Sequence, residues 1–245
     1  MRLCVLPDAE ALAAAAADAV ARQVRQKPEA TLLLPTGTTP LGMYRRLVDR
    51  YRAGELSFSR TTFFNLDEYL GLRPDHPASY RVYMQENFYG LVDADPERAH
   101  LPDGSDADPQ AECERYESLI QEAGGVDLCV LGIGRNGHIG FNEPGASFES
   151  RTRVVRLADS TRRVNAADFE GGLAPQRAIS VGMRTIYEAD EALLLACGAN
   201  KAGAVAAAAT EEISPEVPAS MLRRHPCVSF FLEAGAASAI DREVA

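Results

Sequence analysis

Short apolar runs recurring between longer helical patterns constrain this chain more than any other feature of its sequence. Such runs span Arg2 to Leu6, Thr31 to Leu34, Thr61 to Asn65, Val126 to Leu131, Val154 to Leu157, Ala178 to Val181, Ala192 to Cys197 and Cys227 to Leu232, and each reads as a buried strand. Between them, Asp8 to Gln26 is rich in alanine and places Leu12, Ala16, Ala19, Val20 and Val24 at helical spacing. Asp108 followed by Pro109 reads as an N-cap and first helical residue, ahead of a face made by Cys113, Tyr116, Leu119 and Ile120. Strands alternating with helices in this way predict an α/β protein with a mainly parallel sheet. With 245 residues, no internal repeat and no linker, the chain is expected to form one domain over residues 1–245.

Composition narrows the function classes. A formal charge of -10 argues against nucleic-acid binding, which needs clustered Lys and Arg, so an anionic ligand must be captured by local dipoles and a few cations. No stretch approaches ~18 uninterrupted apolar residues and the N-terminus lacks an apolar signal core, so no membrane partner is expected and the chain reads as cytoplasmic. Its five cysteines are widely spaced without a C-x-x-C pair, which predicts neither a disulfide frame nor a zinc site. Cys4, Cys129, Cys197 and Cys227 fall in strand-like runs and are expected to be small buried core residues.

Three segments directly follow expected strands, where open α/β sheets place their ligands. The first is Leu34-Pro35-Thr36-Gly37-Thr38-Thr39-Pro40, ahead of a helix with Leu41, Tyr44, Leu47, Val48 and Tyr51 on one face. It presents backbone N–H groups, hydroxyls and a helix N-terminus together, which is a phosphate site in outline; simple N-capping by Thr38 or Thr39 is the plain alternative. The second is Phe63-Phe64-Asn65-Leu66-Asp67-Glu68-Tyr69. Adjacent strand residues point to opposite faces, so only one of Asp67 and Glu68 easily faces a common substrate. The third runs from Gly132 to Pro144 and contains a literal G-x-G-x-x-G, with Asp159 at the distance of a ribose-binding acid. Gly140, Pro144 and Gly145 interrupt any helix there, so a dinucleotide site is not expected. The glycines are instead expected to let the backbone approach a ligand, with His138 and Glu143 held in one loop as an acid/base pair.

Asn65-Leu66-Asp67-Glu68-Tyr69 and Gly132-Ile133-Gly134-Arg135-Asn136-Gly137-His138-Ile139-Gly140-Phe141-Asn142-Glu143-Pro144 together resemble the two signature loops of the glucosamine-6-phosphate deaminase family. The likeness extends to Ser79-Tyr80, Ser150-Arg151-Thr152-Arg153, Ser180-Val181-Gly182 and Gly198-Ala199-Asn200-Lys201. This resemblance implies a Rossmann-like, mainly parallel sheet with helices on both faces, and conversion of glucosamine 6-phosphate to fructose 6-phosphate and ammonia without a cofactor or metal. Asp67 is then the base that moves a proton from C2 toward C1. His138 serves ring opening, assisted by Asn136 and Glu143. Thr36, Gly37, Thr38, Thr39, Glu68, Gly137 and Lys201 border the small amino-sugar phosphate, and either a monomer or a homo-oligomer is compatible with the sequence.

Two positions depart from the family pattern. Asn136 stands where one branch has an aspartate that assists the histidine, which leaves Glu143 as the expected ionic partner of His138. Ala167 stands where a phosphate-binding arginine is usual, with Arg162 or Arg163 as candidates to compensate. A 6-phosphogluconolactonase would share the fold, but that family's loop has Asp before Gly-His and lacks the following Phe-Asn-Glu-Pro. A sugar-phosphate-sensing regulator would need a DNA-binding module, and neither a spare ~60-residue segment nor a basic patch is present.

Overall fold

The computed structural model describes residues 1–164, 166, 169 and 174–240. Its centre is a seven-stranded sheet in the order β1-β10-β9-β6-β2-β3-β5, with every neighbouring pair parallel. These strands are β1 (Arg2–Leu6), β2 (Thr31–Leu34), β3 (Thr62–Asn65), β5 (Ala99–His100), β6 (Leu128–Gly132), β9 (Glu191–Ala196) and β10 (Val228–Glu233). A second, antiparallel sheet joins β4 (Asp67–Tyr69), β8 (Arg177–Ser180) and β7 (Arg153–Arg156), with β8 in the middle. The Rossmann-like expectation is met, and the second sheet accounts for the runs near residues 154 and 178.

Burial explains why β2, β6 and β9 are nearly unbroken apolar runs: both faces of the sheet are covered. Leu32, Leu34, Leu128, Val130, Leu193 and Leu195 pack with Leu12 and Val20 of α1 (Ala9–Gln26) and Tyr44 and Leu47 of α2 (Leu41–Arg52). Their alternates Leu33, Cys129, Leu131 and Leu194 face the other way, toward Tyr116 and Ile120 of α4 (Pro109–Glu122), Ile186 of α6 (Met183–Tyr187) and Val205 of α7 (Ala202–Thr210). The period of two along each strand therefore divides the core into two layers.

The cap expected at Asp108 is present, and Asp8 caps α1 as well. Asp8 accepts from the Ala11 N–H at 2.8 Å, and Asp108 accepts from Gln110 and Ala111 with Pro109 in the first turn. The cysteine expectation needs correction: Cys113 and Cys129 are buried, Cys4 and Cys197 are half-buried, and Cys227 is exposed. Cys227 lies just before β10 begins, outside the sheet's covered interior. Among the described residues, no helix is long and apolar enough to cross a membrane.

Leu66 hands the chain from one sheet to the other. Its N–H donates to Leu34 O beside β3, while its carbonyl accepts from Val181 N–H beyond β8. The next residue, Asp67, already pairs with Ser180 in the antiparallel sheet. The end of a rigid parallel strand thus places Asp67 against the glycine loop that follows β6.

Candidate active site

Asp67 and Glu68 leave β4 on opposite sides, as strand geometry requires. Glu68 turns toward α3 (Tyr80–Asn87), where its carboxylate accepts from the backbone N–H groups of Tyr80 at 3.1 Å and Arg81 at 3.0 Å, and also from Tyr69 at 2.8 Å. Burial raises its pKa and those three donors oppose the rise. Glu68 is thereby tied to α3, because the free amides of a helix N-terminus attract a carboxylate strongly. Asp67 turns toward Gly140 and Ser180 instead. A Cβ at Gly140 would lie 3.3 Å from Asp67 Oδ2 and 3.4 Å from Ser180 Oγ. Burial pushes Asp67 up to about 8, aided by the charge of Glu68 and opposed by the Phe141 N–H.

The loop after β6 contains no helix, in keeping with the rejection of a dinucleotide site. It folds back on itself through Gly137 N–H to Gly134 O and Gly134 N–H to His138 O. A Cβ at Gly134 would fall 2.2–2.5 Å from atoms of the His138 imidazole. Glycine at 134 and 140 makes room for the protein's own His138 and Asp67. Gly137, expected on the substrate side, has both backbone groups committed, since its carbonyl also accepts from Ala219 N–H.

The orientation of the histidine follows from its neighbours. Asn136 Nδ2 donates to Glu143 Oε2 at 2.8 Å, so the amide oxygen of Asn136 faces His138 Nδ1 at 2.7 Å. An amide oxygen only accepts, so Nδ1 carries the hydrogen and Nε2 is left to exchange a proton with a ligand. Glu143 lies 3.5 Å from the same Nδ1 and accepts from Thr161 Oγ1 as well. Burial would raise the Glu143 pKa, but hydrogen bonds from His138, Thr161 and Asn136 outweigh it and hold it at about 2. Glu143 is therefore ionised throughout the neutral range.

The phosphate-like turn follows β2, the immediate neighbour of β6 in the sheet. Among the described residues no side chain caps α2, so neither Thr38 nor Thr39 acts as the plain N-cap; Pro40 takes the flanking position. Tyr44 OH donates to Pro35 O at 2.5 Å and Tyr83 OH to Gly37 O at 2.6 Å, fixing the turn on both sides of Thr36. Gly37 has φ +93°, a region that favours glycine. Lys201 ends a 3-10 turn (Ala199–Lys201) that begins three residues after β9, and its Nζ donates to Ile133 O at 2.7 Å.

Asn142, Thr161, Tyr83 and Ser180 were not assigned roles from sequence. Asn142 is fully buried, donates to Ile139 O and Val181 O, and accepts from Arg153. Thr161 reaches Glu143 from α5 (Asp159–Val164), and no local pattern signals a contact between residues so far apart in sequence. Ala167 lies outside the described residues. Arg162, one of its proposed substitutes, donates to Ala174 O and pairs with Asp159. Among the described residues, no group of three His, Cys, Asp or Glu side chains is placed to hold a metal ion.

A parallel α/β sheet with a buried acid and a histidine–carboxylate loop at its ligand edge defines a class of sugar-phosphate enzymes, and the comparisons agree. The chain belongs to the family described as glucosamine-6-phosphate isomerases/6-phosphogluconolactonase, whose model matches residues 7–230. Within it, two similar relatives are glucosamine-6-phosphate deaminases. The glucosamine-6-phosphate deaminase of Rhodopirellula baltica is 48% identical over 239 residues, covering 97% of this chain and 95% of the relative. Glucosamine-6-phosphate deaminase 2 of Bacillus subtilis is 44% identical, covering 97% of this chain and 96% of its own. The solved structure of a monomeric glucosamine-6-phosphate deaminase superposes with a TM-score of 0.95 at 43% identity, covering 98% of this chain and 100% of that one. A 6-phosphogluconolactonase from Trypanosoma brucei, at 19% identity and a TM-score of 0.77, is alike in fold alone.

Proposed function

We propose that this chain converts glucosamine 6-phosphate and water to fructose 6-phosphate and ammonia, acting as a single catalytic domain over residues 1–245 in the cytoplasm. The observation that carries this reading is the placement of Asp67, a buried carboxyl with its pKa raised to about 8, against the loop that holds His138, Asn136 and Glu143.

The chemistry divides between those groups. His138 Nε2 takes the proton of the C1 hydroxyl and passes it to the ring oxygen as the C1–O bond of the ring breaks and the pyranose opens to the aldehyde. The C1 carbonyl makes the proton on C2 removable, and Asp67 takes that proton and returns it to C1. The resulting enolamine becomes a ketose imine, to which water adds at C2 before ammonia leaves. Every step is a proton transfer, an addition to an imine or the reverse elimination of an alcohol or amine, so the proposed route uses no cofactor and no metal. A base with a pKa near neutrality both accepts and returns a proton readily. Glu143, ionised and linked through Asn136, holds the imidazole tautomer.

Thr36, Gly37, Thr38, Thr39 and Lys201 bind the phosphate, while Glu68 and Gly137 shape the site through α3 and the loop fold. The protein acts on this small molecule as a monomer or homo-oligomer. The test is to incubate the purified protein with glucosamine 6-phosphate and measure ammonia and fructose 6-phosphate together. Equal molar release of both is expected; a folded protein that releases neither, or that instead hydrolyses 6-phosphogluconolactone, contradicts the proposal.

A further inference from the structure

Lys201 alone is a weak match for a phosphate monoester, which carries roughly -1.5 to -2 charge near pH 7. The chain around it has a formal charge of -10, so the field of the whole molecule opposes an anion. A second local cation is needed, and the sheet order shows where it stands. β2, β6 and β9 are consecutive parallel neighbours, so the loops after them leave the same edge side by side. Lys201 Nζ ties the third loop to the second at Ile133 O, two residues before Arg135.

Arg135 is exposed, and among the described residues it enters no ion pair or hydrogen bond. Some arginines elsewhere are engaged, such as Arg151 with Glu117 and Glu188 and Arg184 with Glu149 and Glu188, while Arg45, Arg81 and Arg156 show no such partner among the described residues either. What sets Arg135 apart is its place in the loop tied to Lys201. The charge of Arg135 reaches Lys201, whose pKa is lowered first by burial and then by that guanidinium. Among the described residues Lys201 likewise forms no ion pair. Two like charges within electrostatic reach of each other repel, and an anion between them relieves the repulsion.

We propose that Arg135 is a phosphate-binding residue, forming with Lys201 a two-cation clamp beside the turn Thr36 to Thr39. The inference rests on the phosphosugar reading above. The guanidinium supplies a planar fork of donors to the phosphate oxygens, where the ammonium acts as a point charge. The phosphate end is remote from C1 and C2, so its binding contributes alike to ground and transition states.

The test measures inorganic phosphate binding by calorimetry on the full chain, without turnover, for the wild type, Arg135→Gln, Arg135→Lys and Lys201→Gln. Steady-state kinetics on glucosamine 6-phosphate run in parallel. Arg135→Gln is expected to weaken phosphate about tenfold and to raise KM by a similar factor with kcat little changed, while Arg135→Lys restores part of the loss. Unchanged phosphate affinity in Arg135→Gln while Lys201→Gln loses it, a fall in kcat without a change in affinity, or no phosphate binding to the wild type would each overturn the clamp. An overturned clamp in a chain that releases ammonia leaves the deaminase reading standing. Phosphate held through Arg135 in a chain that releases no ammonia does the reverse.

Discussion

Asp67 and Glu143 are both carboxyl groups withdrawn from water, yet the protein drives them in opposite directions. Asp67 is 5% exposed, beside a second acid, with one opposing backbone donor, and its pKa rises to about 8. Glu143 is also shielded, but Asn136, Thr161 and His138 donate to it and its pKa falls to about 2. Burial acts the same way on both; the number of donors decides which way each goes. The pair separates two jobs that one carboxylate type must do at a single pH, proton transfer at Asp67 and steady orientation of an imidazole at Glu143.

The largest effect is expected from Asp67→Asn, which keeps size and hydrogen bonding but removes the base. Turnover should fall by about 10²–10⁴-fold in a protein that still folds, with exchange of the substrate C2 hydrogen falling alongside ammonia release. Glu68→Gln should lose less, since Glu68 acts through α3. Near-normal C2 exchange in Asp67→Asn would break the division of labour.

Opposite pKa directions predict opposite pH dependence of stability. The folded pKa of Asp67, about 8, exceeds its ordinary 3.8. Its contribution is therefore full below 3.8 and is lost as pH rises through about 8. Asp67→Asn should match the wild type near pH 3 and exceed it at pH 9, by on the order of a few kcal/mol. The folded pKa of Glu143, about 2, lies below 4.5, so its contribution is present above 4.5 and is lost as pH falls through 2. Glu143→Gln should cost about 1–3 kcal/mol at pH 7, narrowing toward pH 2. Thermal melts across pH test both, and differences of the same sign in the two variants would break the comparison.

His138→Gln sharpens the Glu143 side. Reaction from the closed pyranose should suffer more than reaction of an open-chain analogue, because the proposed task of His138 precedes isomerisation. Pre-steady-state kinetics with both forms measure this, and equal losses would remove ring opening from its role. The smallest effect is expected from Thr161→Val, which removes one donor to Glu143 and leaves Asn136 and His138. A loss of a few-fold in kcat with KM unchanged is expected, on the order of one hydrogen bond. A loss as large as that of His138→Gln would show that Thr161 does more than support the carboxylate.

Much of this was legible because burial writes itself into sequence. β2, β6 and β9 are covered on both faces, so they read as plain apolar runs, and the side chains at their loop ends stood out by chemistry. That Asp67, Glu68 and Tyr69 form a strand of their own in a second sheet was not legible, because they join it only by pairing with β8. The antiparallel sheet escaped for the same reason, since pairing direction is a property of distant segments. That Gly134 and Gly140 leave room for His138 and Asp67 was not legible, because sequence shows that space is needed but not which side chains fill it. Thr161 was missed because its contact with Glu143 exists only after β7 has carried the chain back past the loop.

The most direct test of the tuned pair is a carbon-13 NMR titration of the resting protein with aspartate and glutamate carboxyls labelled, repeated in Asp67→Asn and Glu143→Gln to assign the signals. The account predicts one aspartate carboxyl that titrates near pH 8 and vanishes in Asp67→Asn, and one glutamate carboxyl that stays ionised down to about pH 2 and vanishes in Glu143→Gln. Titration of both groups together between about pH 3.5 and 5, in the ordinary carboxylate range, would contradict it.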